Sequence, residues 1–158
     1  MNIELKGIKH YASMSEETYC YEAILYRDGK KVGRVSNRGH GGADDTGFSV
    51  DVYREIDAWC RANLPVNISS IDGAEDDTTL EEWCHDQVTD FLYRRDLKKA
   101  LKKTVVRTSD GETYLMNVQW TEADAERIRA AIEKQMPGGT ILNALPFEDA
   151  LNLWRQQI

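Results

Sequence analysis

The fold is decided by residues 19–36, which read YCYEAILYRDGKKVGRVS. The first half of this stretch is rich in aromatic and branched side chains, which favour β-strands. Asp28-Gly29 is a strong hairpin signal, because both central positions of a type I′ turn need a positive φ angle. The stretch therefore predicts strands near 19–27 and 31–36, joined by a tight turn.

Further strands are predicted on both sides of this hairpin. Residues 3–11 predict a strand before it, and a second hairpin is expected near 104–108 and 112–119. Residues 140–142 could add a short strand. Whether the two hairpins join one sheet or form two is left open by the sequence.

Three to four helices are predicted from apolar residues that recur at helical spacing. They lie near 49–64, 79–103, 122–136 and 147–157. Thr78-Thr79-Leu80-Glu81-Glu82 offers a capping box for the second helix. The spacing slips near Arg94-Arg95-Asp96, where a break or short turn is expected. Because strands and helices cluster rather than alternate, the class is α+β.

Composition and length favour one domain over residues 1–158. Of its residues, 41% are hydrophobic and 30% charged, which is enough apolar material for a core. Three widely spaced cysteines suit reduced thiols better than a disulfide framework. The chain contains neither an apolar run long enough for a membrane span nor a secretory signal. We therefore expect a cytoplasmic protein with no membrane contact.

A glycine-rich loop is predicted over residues 37–47, which contain four glycines in eleven residues. Glycines allow backbone amides to approach a phosphate, so the segment 36–47 could bind a nucleotide or another phosphate. The candidate ligand-binding residues are Arg38, Gly39, His40, Gly41 and Gly42. No known phosphate-binding motif matches them, and a strand-to-helix connector is the favoured interpretation.

Catalytic and metal sites find little support in the sequence. Potential metal ligands occur, but not as pairs at fixed spacing. They are His10, His40, His85, Cys60, Cys84, Asp44 and Asp45. Cys60 and Cys84 lie on apolar stripes, where a small buried side chain is the usual role. Catalytic motifs are also missing, so we expect no cofactor and no metal, and a non-enzymatic role is favoured.

Charge is unevenly distributed along the chain, whose net charge is -7. Residues 44–90 hold thirteen carboxylates against two arginines, a formal charge of -11, whereas residues 94–107 carry +6. The overall negative charge argues against direct nucleic-acid binding. An acidic surface could instead dock on a basic partner. The candidate partner-binding residues are Asp44, Asp45, Asp51, Glu55, Asp72, Glu75, Asp76, Asp77, Glu81 and Glu82.

An ordinary solvated face is the simpler explanation of such a charge run. The basic segment 94–107 could also neutralise the acidic one, through helical pairs or tertiary contacts. Both alternatives stay open at the level of sequence, as does the oligomeric state.

Residues 21–42, which read YEAILYRDGKKVGRVSNRGHGG, resemble the hairpin and glycine loop of small uncharacterised proteins encoded by bacteriophages and prophages. The resemblance covers this segment alone and brings no catalytic residues. It implies an accessory protein that binds a host protein, such as an inhibitor of a nucleic-acid-handling or defence protein. The alternatives are a ligand binder or enzyme that uses the loop 36–47, or an assembly component of a larger particle.

Overall fold

The computed structural model describes residues 1–68, 73 and 75–156. The chain divides into two compact units, Met1–Phe91 and Leu92–Ile158. Both units combine helices with antiparallel strands, so the α+β class is confirmed. None of the helices in the described part of the chain is long and apolar enough to cross a membrane.

The first unit is built on a four-stranded antiparallel sheet in the order β1-β2-β3-β4. The strands are β1 (Ile3–His10), β2 (Cys20–Arg27), β3 (Lys30–Arg38) and β4 (Asp45–Thr46). Asp28 and Gly29 have φ angles of 49° and 76°, which confirms the predicted turn. The short strand β4 was not predicted, because it lies in the glycine-rich segment that suggested a loop without regular structure. It exists because Thr46 and Asp45 pair with Val35 and Ser36 of β3.

Helix α1 (Val50–Asn63) begins at Ser49, whose hydroxyl accepts a hydrogen bond from the amide of Val52. Two short strands follow, β5 (Asn67–Ile68) and β6 (Glu75–Asp76), and they pair antiparallel. No strand is predicted here from the sequence, since two-residue strands leave no alternating pattern.

Helix α2 (Leu80–Ala100) begins in the first unit and ends in the second. The break expected near Arg94-Arg95-Asp96 does not occur, because the helix runs through it. Its buried residues recur every four positions up to Leu92, whereas Leu97 and Ala100 depart from that spacing. Leu97 and Ala100 pack in a core of the second unit. The apolar pattern therefore slips where the helix changes core, not where it ends.

The second unit contains its own three-stranded sheet in the order β8-β7-β9. Its strands are β7 (Thr104–Arg107), β8 (Thr113–Met116) and β9 (Thr140–Ile141). The predicted second hairpin is present, and it forms a sheet separate from that of the first hairpin. Its helices are α3 (Ala125–Gln135), preceded by a 3₁₀ turn, and α4 (Phe147–Arg155).

Val105 and Val106 of β7 pack in two different hydrophobic cores, because successive side chains of a strand point to opposite faces. Val105 packs with Leu97, Leu142 and Leu151. The next core consists of Val106, Ile128, Ile132 and Ile141. Strand β7 is thus covered on both faces.

Asn143 connects the end of α2 to the start of β7 in the second unit. Its side-chain Nδ2 donates to the carbonyls of Leu101, at 3.0 Å, and Lys103, at 2.9 Å. Its Oδ1 accepts from the amide of Val105 at 2.8 Å. One carboxamide thereby satisfies three backbone groups where a helix gives way to a strand.

We expect Asn143→Ala to lower the free energy of unfolding by about 1–3 kcal/mol. The substitution removes the hydrogen-bond partner of three backbone groups, one of which is the amide of the fully buried Val105. Asn152→Ala removes an amide from an exposed position of α4 and should change stability by less than about 0.5 kcal/mol. Urea unfolding of the two variants tests this. Equal effects would show that the Asn143 contacts contribute nothing specific.

Candidate functional site

The glycine loop is held by the side chain of Asn37, at the end of β3. The Oδ1 atom of Asn37 accepts from the Thr18 hydroxyl and from the Gly39 amide, both at 2.8 Å. Its Nδ2 donates to the Gly42 carbonyl at 2.8 Å and to Asp44 Oδ1 at 3.0 Å. The carboxamide is therefore fully hydrogen-bonded, and it determines the course of residues 37–44.

Gly39 is required by its surroundings. Its carbonyl accepts from three successive amides, those of Glu16, Glu17 and Thr18. Its φ angle is +87°, and a Cβ atom there would lie 2.1 Å from the Met14 carbonyl oxygen. No other residue fits this position without moving the backbone.

Gly39→Ala should therefore lower the free energy of unfolding by about 2 kcal/mol or more, through backbone strain and the clash with Met14. Gly42→Ala is the matched control, because a Cβ atom at Gly42 meets nothing within 4 Å. We expect the control to change the thermal midpoint little. If the loop is held by the contacts of Gly39, Gly39→Ala should be clearly more destabilising than Gly42→Ala. Equal effects of the two substitutions on stability would contradict this structural role.

The surroundings of the loop are acidic, which bears on the phosphate-binding alternative. The Arg38 guanidinium lies 3.4 Å from Asp45, and the His40 ring lies 3.0 Å from Glu16. The Gly41 amide donates to the Thr18 hydroxyl, and the Glu17 carboxylate borders Gly41. These contacts occupy the groups that would receive a phosphate and place carboxylates beside them. They favour a structural role, and phosphate binding stays a prediction.

Asp44 links the loop to helix α2 within the first unit. Its carboxylate accepts from the Tyr21 hydroxyl in a short hydrogen bond, and its backbone amide donates to Glu81 Oε1 at 3.1 Å. Burial raises the pKa of Asp44 above its ordinary value of 3.8, although the hydrogen bonds from Tyr21 and Asn37 act in the opposite direction. Burial and the nearby Asp44 charge likewise raise the pKa of Glu81.

The pKa of Glu82, the neighbour of Glu81, is shifted in the opposite direction. Its carboxylate accepts from the Thr79 amide at 2.8 Å, and its own amide donates to the Thr79 hydroxyl at 3.1 Å. The predicted capping box is thereby confirmed. The hydrogen bond from the Thr79 amide is the main reason why the pKa of Glu82 is lowered from 4.5.

Glu81→Gln and Glu82→Gln should therefore have opposite pH dependences. Ionised Glu81 is penalised in the fold, so Glu81→Gln should become more favourable, relative to wild type, as the pH rises above about 4.5. Ionised Glu82 is stabilised, so Glu82→Gln should become more destabilising as the pH rises toward the ordinary pKa of 4.5. Urea unfolding between about pH 3 and pH 7 measures both differences. The same sign for both would contradict the environments described here.

The histidines and cysteines show no arrangement that suggests chemistry. His85 stacks on Tyr19 at 5.0 Å between ring centroids, and Tyr19 meets the ring of His10 edge-on. Cys60 and Cys84 are buried, as predicted. Burial raises the pKa of Cys60 to about 11 and that of Cys84 further, so both thiols stay protonated at neutral pH. Within the described residues, no three potential ligands lie close enough to hold a metal ion.

The structure divides the predicted partner-binding residues into several groups. Asp44 and Glu81 are partly buried in the loop network. Asp45 and Glu55 lie beside basic groups, with Glu55 2.7 Å from Arg27. The exposed remainder consists of Asp51, Glu75, Asp76, Asp77 and Glu82. Asp72 lies outside the described residues.

We define the acidic patch as four of these exposed carboxylates and Asp86, namely Glu75, Asp76, Asp77, Glu82 and Asp86. Asp76 pairs with Asn67 in the short β5–β6 ladder, and the Asn67 side chain helps to lower the pKa of the Glu82 carboxylate. Asp86 follows Glu82 by one turn of α2. The patch therefore joins the β6 strand, the turn after it and the start of α2.

Arg61 of α1 is a cation beside this patch. The side-chain hydrogen bond to Asp57, 2.8 Å long, is the main cause of its raised pKa, and the charges of Asp77 and Glu82 add to it. Because Arg61 is shared among these carboxylates, it offsets only part of their charge.

The sequence did not single out Tyr21 and Asn37 as residues of this site. Both are buried polar side chains that bind Asp44. An asparagine directly before a glycine-rich segment could have suggested a local backbone contact, since its side chain often bonds the amide two residues on. The tyrosine contact depends on a partner 23 residues away and leaves no local signal.

No protein-family model matches this chain, and neither a curated protein nor a solved structure matches it. The likeness of residues 21–42 to phage and prophage proteins stays a prediction.

Proposed function

We propose that this chain is a non-enzymatic binding protein whose acidic patch docks on a basic surface of a partner protein. The observation that carries the proposal is the group of five exposed carboxylates on the first unit, whose charge Arg61 offsets only in part. Such a concentration of one sign of charge attracts a complementary surface and steers its approach.

The distribution of charge over the whole chain supports this proposal. Residues 1–91 hold eighteen carboxylates against nine lysines and arginines, a formal charge of -9, whereas residues 92–158 carry +2. The net charge of the protein thus belongs to the first unit, where the patch lies. A partner with a basic groove would be drawn to that unit.

The nature of the partner follows from the same chemistry. Proteins that handle nucleic acids expose basic grooves for phosphates, and carboxylates spaced along a strand and a helix can occupy such a groove. Together with the resemblance to phage proteins, this favours a host nucleic-acid-handling or defence protein as the target, with inhibition as the outcome. Direct binding of nucleic acid by the patch is disfavoured, since like charges repel.

An enzymatic role receives less support from the described residues. The two thiols with raised pKa values are poor nucleophiles, and the loop that could have bound phosphate is lined by carboxylates. The glycine-loop alternative therefore ranks below the binding function.

The triple variant Glu75→Gln/Asp76→Asn/Asp77→Asn tests the role of the patch. It removes three exposed charges and keeps Glu82, whose carboxylate caps α2. We expect partner affinity to fall by about tenfold, or about 1.4 kcal/mol, and the salt dependence of binding to weaken. The tagged protein would be incubated with lysate of its native host at about 0.1 M and about 0.5 M salt, and retained proteins identified by mass spectrometry.

The matched control is Glu112→Gln/Glu122→Gln/Glu126→Gln, which removes the same charge from exposed positions of the second unit. A stoichiometric partner retained by wild type and control, but lost from the patch variant, is the expected result. A partner retained equally by all three proteins would contradict the proposal.

A further inference from the structure

Strand β8 lies at an edge of the sheet in the second unit. In the order β8-β7-β9 it pairs with β7 and with no other strand of the described chain. The amide of Thr104 donates to the Val118 carbonyl at 2.7 Å, and that of Thr108 donates to the Glu112 carbonyl at 2.9 Å. Even-numbered residues of the edge therefore face β7, because backbone groups alternate in direction along a strand. Leu115 directs its own N–H and C=O groups away from the sheet.

The side chains of this edge are apolar and exposed. Tyr114 is 46% exposed, Leu115 53% and Val118 45%. Residues 113–120, which read TYLMNVQW, carry no charge, although 30% of the chain is charged. Edge strands of natural proteins are commonly protected from pairing by charged side chains or proline. Because β8 contains neither, it is suited to pairing with a further strand.

The charge of the second unit favours a second copy of the same chain as the source of that strand. Residues 92–158 carry a formal charge of +2, whereas residues 1–91 carry -9. Two copies that meet through β8 bring together their nearly neutral units rather than their acidic ones. Antiparallel pairing of a strand with its own copy also closes about a twofold axis, the commonest symmetry of soluble oligomers.

The outward-facing backbone of Leu115 determines the register of such a pair. A twofold axis at Leu115 places the two Leu115 residues opposite each other as a hydrogen-bonded pair. It also sets Tyr114 opposite Met116 and Thr113 opposite Asn117, so every pair is uncharged. Moving the axis toward the N-terminus would bring a carboxylate into the pairing. Moving it toward the C-terminus would pair β8 mostly with residues beyond its end.

An apolar groove beside β8 offers space for a side chain of the second copy. It has a volume of about 140 Å³ and lies between Met116 and Val118 of the hairpin and Ile128 and Ala131 of α3. An apolar cavity of about 150 Å³ holds a benzene molecule. Because the second copy's Tyr114 stands opposite Met116 in this register, its ring lies at the groove. The twofold axis repeats the contact on the other side.

We propose that this chain forms a twofold dimer in which β8 pairs antiparallel with β8 of a second copy, centred on Leu115. The two three-stranded sheets then join into one sheet of six strands. The exposed apolar surface is small, so the dimer is weak, with a Kd of about 100 µM. The interface lies wholly in the second unit, so its failure would not affect the proposed function of the acidic patch.

Cysteine cross-linking tests the register. Cys20, Cys60 and Cys84 are buried, so an introduced exposed thiol is the reactive one. In Leu115→Cys the two Cα atoms would lie about 5.5 Å apart, a separation that a disulfide spans. Asn117→Cys is the matched control, because it is exposed but its two copies would lie more than about 13 Å apart. Under mild oxidation, Leu115→Cys should form a disulfide dimer at least about tenfold faster.

Sedimentation equilibrium of the full chain between about 10 and 500 µM measures the dimer itself. Leu115→Lys places two ammonium groups opposite each other at the axis, and it should fold because Leu115 is more than half exposed. We expect this variant to stay monomeric over the whole range. Val50→Lys is the matched control, because it adds the same charge at an exposed apolar residue of the first unit. It should dimerise as the wild type does.

Hydrogen exchange separates strand pairing from a general apolar contact. The Leu115 amide points outward, so its exchange should slow about threefold between about 10 and 500 µM, as the monomer fraction falls. The Tyr114 amide faces β7, so its exchange rate should change little.

Three results would overturn the proposal. A wild-type chain that stays monomeric at about 500 µM, well above the expected Kd, would leave the edge to a strand of another protein. A Leu115→Lys variant that dimerises like the wild type would place the dimer contact elsewhere. Equal rates of cross-linking for Leu115→Cys and Asn117→Cys would exclude the register.

Discussion

The Asn37 side chain is the contact on which the first unit most depends. It bonds the loop at both ends, through Gly39 and Gly42, and it orients Asp44 toward Tyr21. A carboxamide suits this position because it offers both donors and acceptors without charge. An aspartate would lack the donors and add a charge beside Asp44. These contacts hold the path of the chain from the end of β3 to Asp44.

Helix α2 shows how one element can belong to two compact units. Its first half carries buried Leu80, Cys84 and Val88, and its second half contributes Leu97 and Ala100 to another core. An uninterrupted helix keeps its backbone hydrogen bonds through the change of core. The charge of the chain changes sign along the same helix, from the acidic segment to the basic one.

Local sequence patterns predicted most elements because period and turn chemistry are local properties. The hairpin at Asp28-Gly29 and the four helices were found within a few residues of their bounds. The sequence predicted a break in α2 that does not occur. A helix that passes from one core to another shifts the spacing of its apolar residues in the same way as a broken helix would. From charge alone, Asp44 and Asp77 were equally good candidates for partner binding. In the structure, Asp44 and Glu81 are partly buried, which separates them from the exposed carboxylates.

The carboxylates of the first unit divide by what the fold does with them. Glu82 caps a helix, and Asp57 accepts from the Leu80 amide while it pairs with Arg61. These acids stabilise the structure through specific contacts. Glu75, Asp76 and Asp77 are exposed and close in sequence, so their mutual repulsion opposes folding. A basic partner surface would relieve that repulsion on binding, which singles out these three residues rather than the acidic segment as a whole.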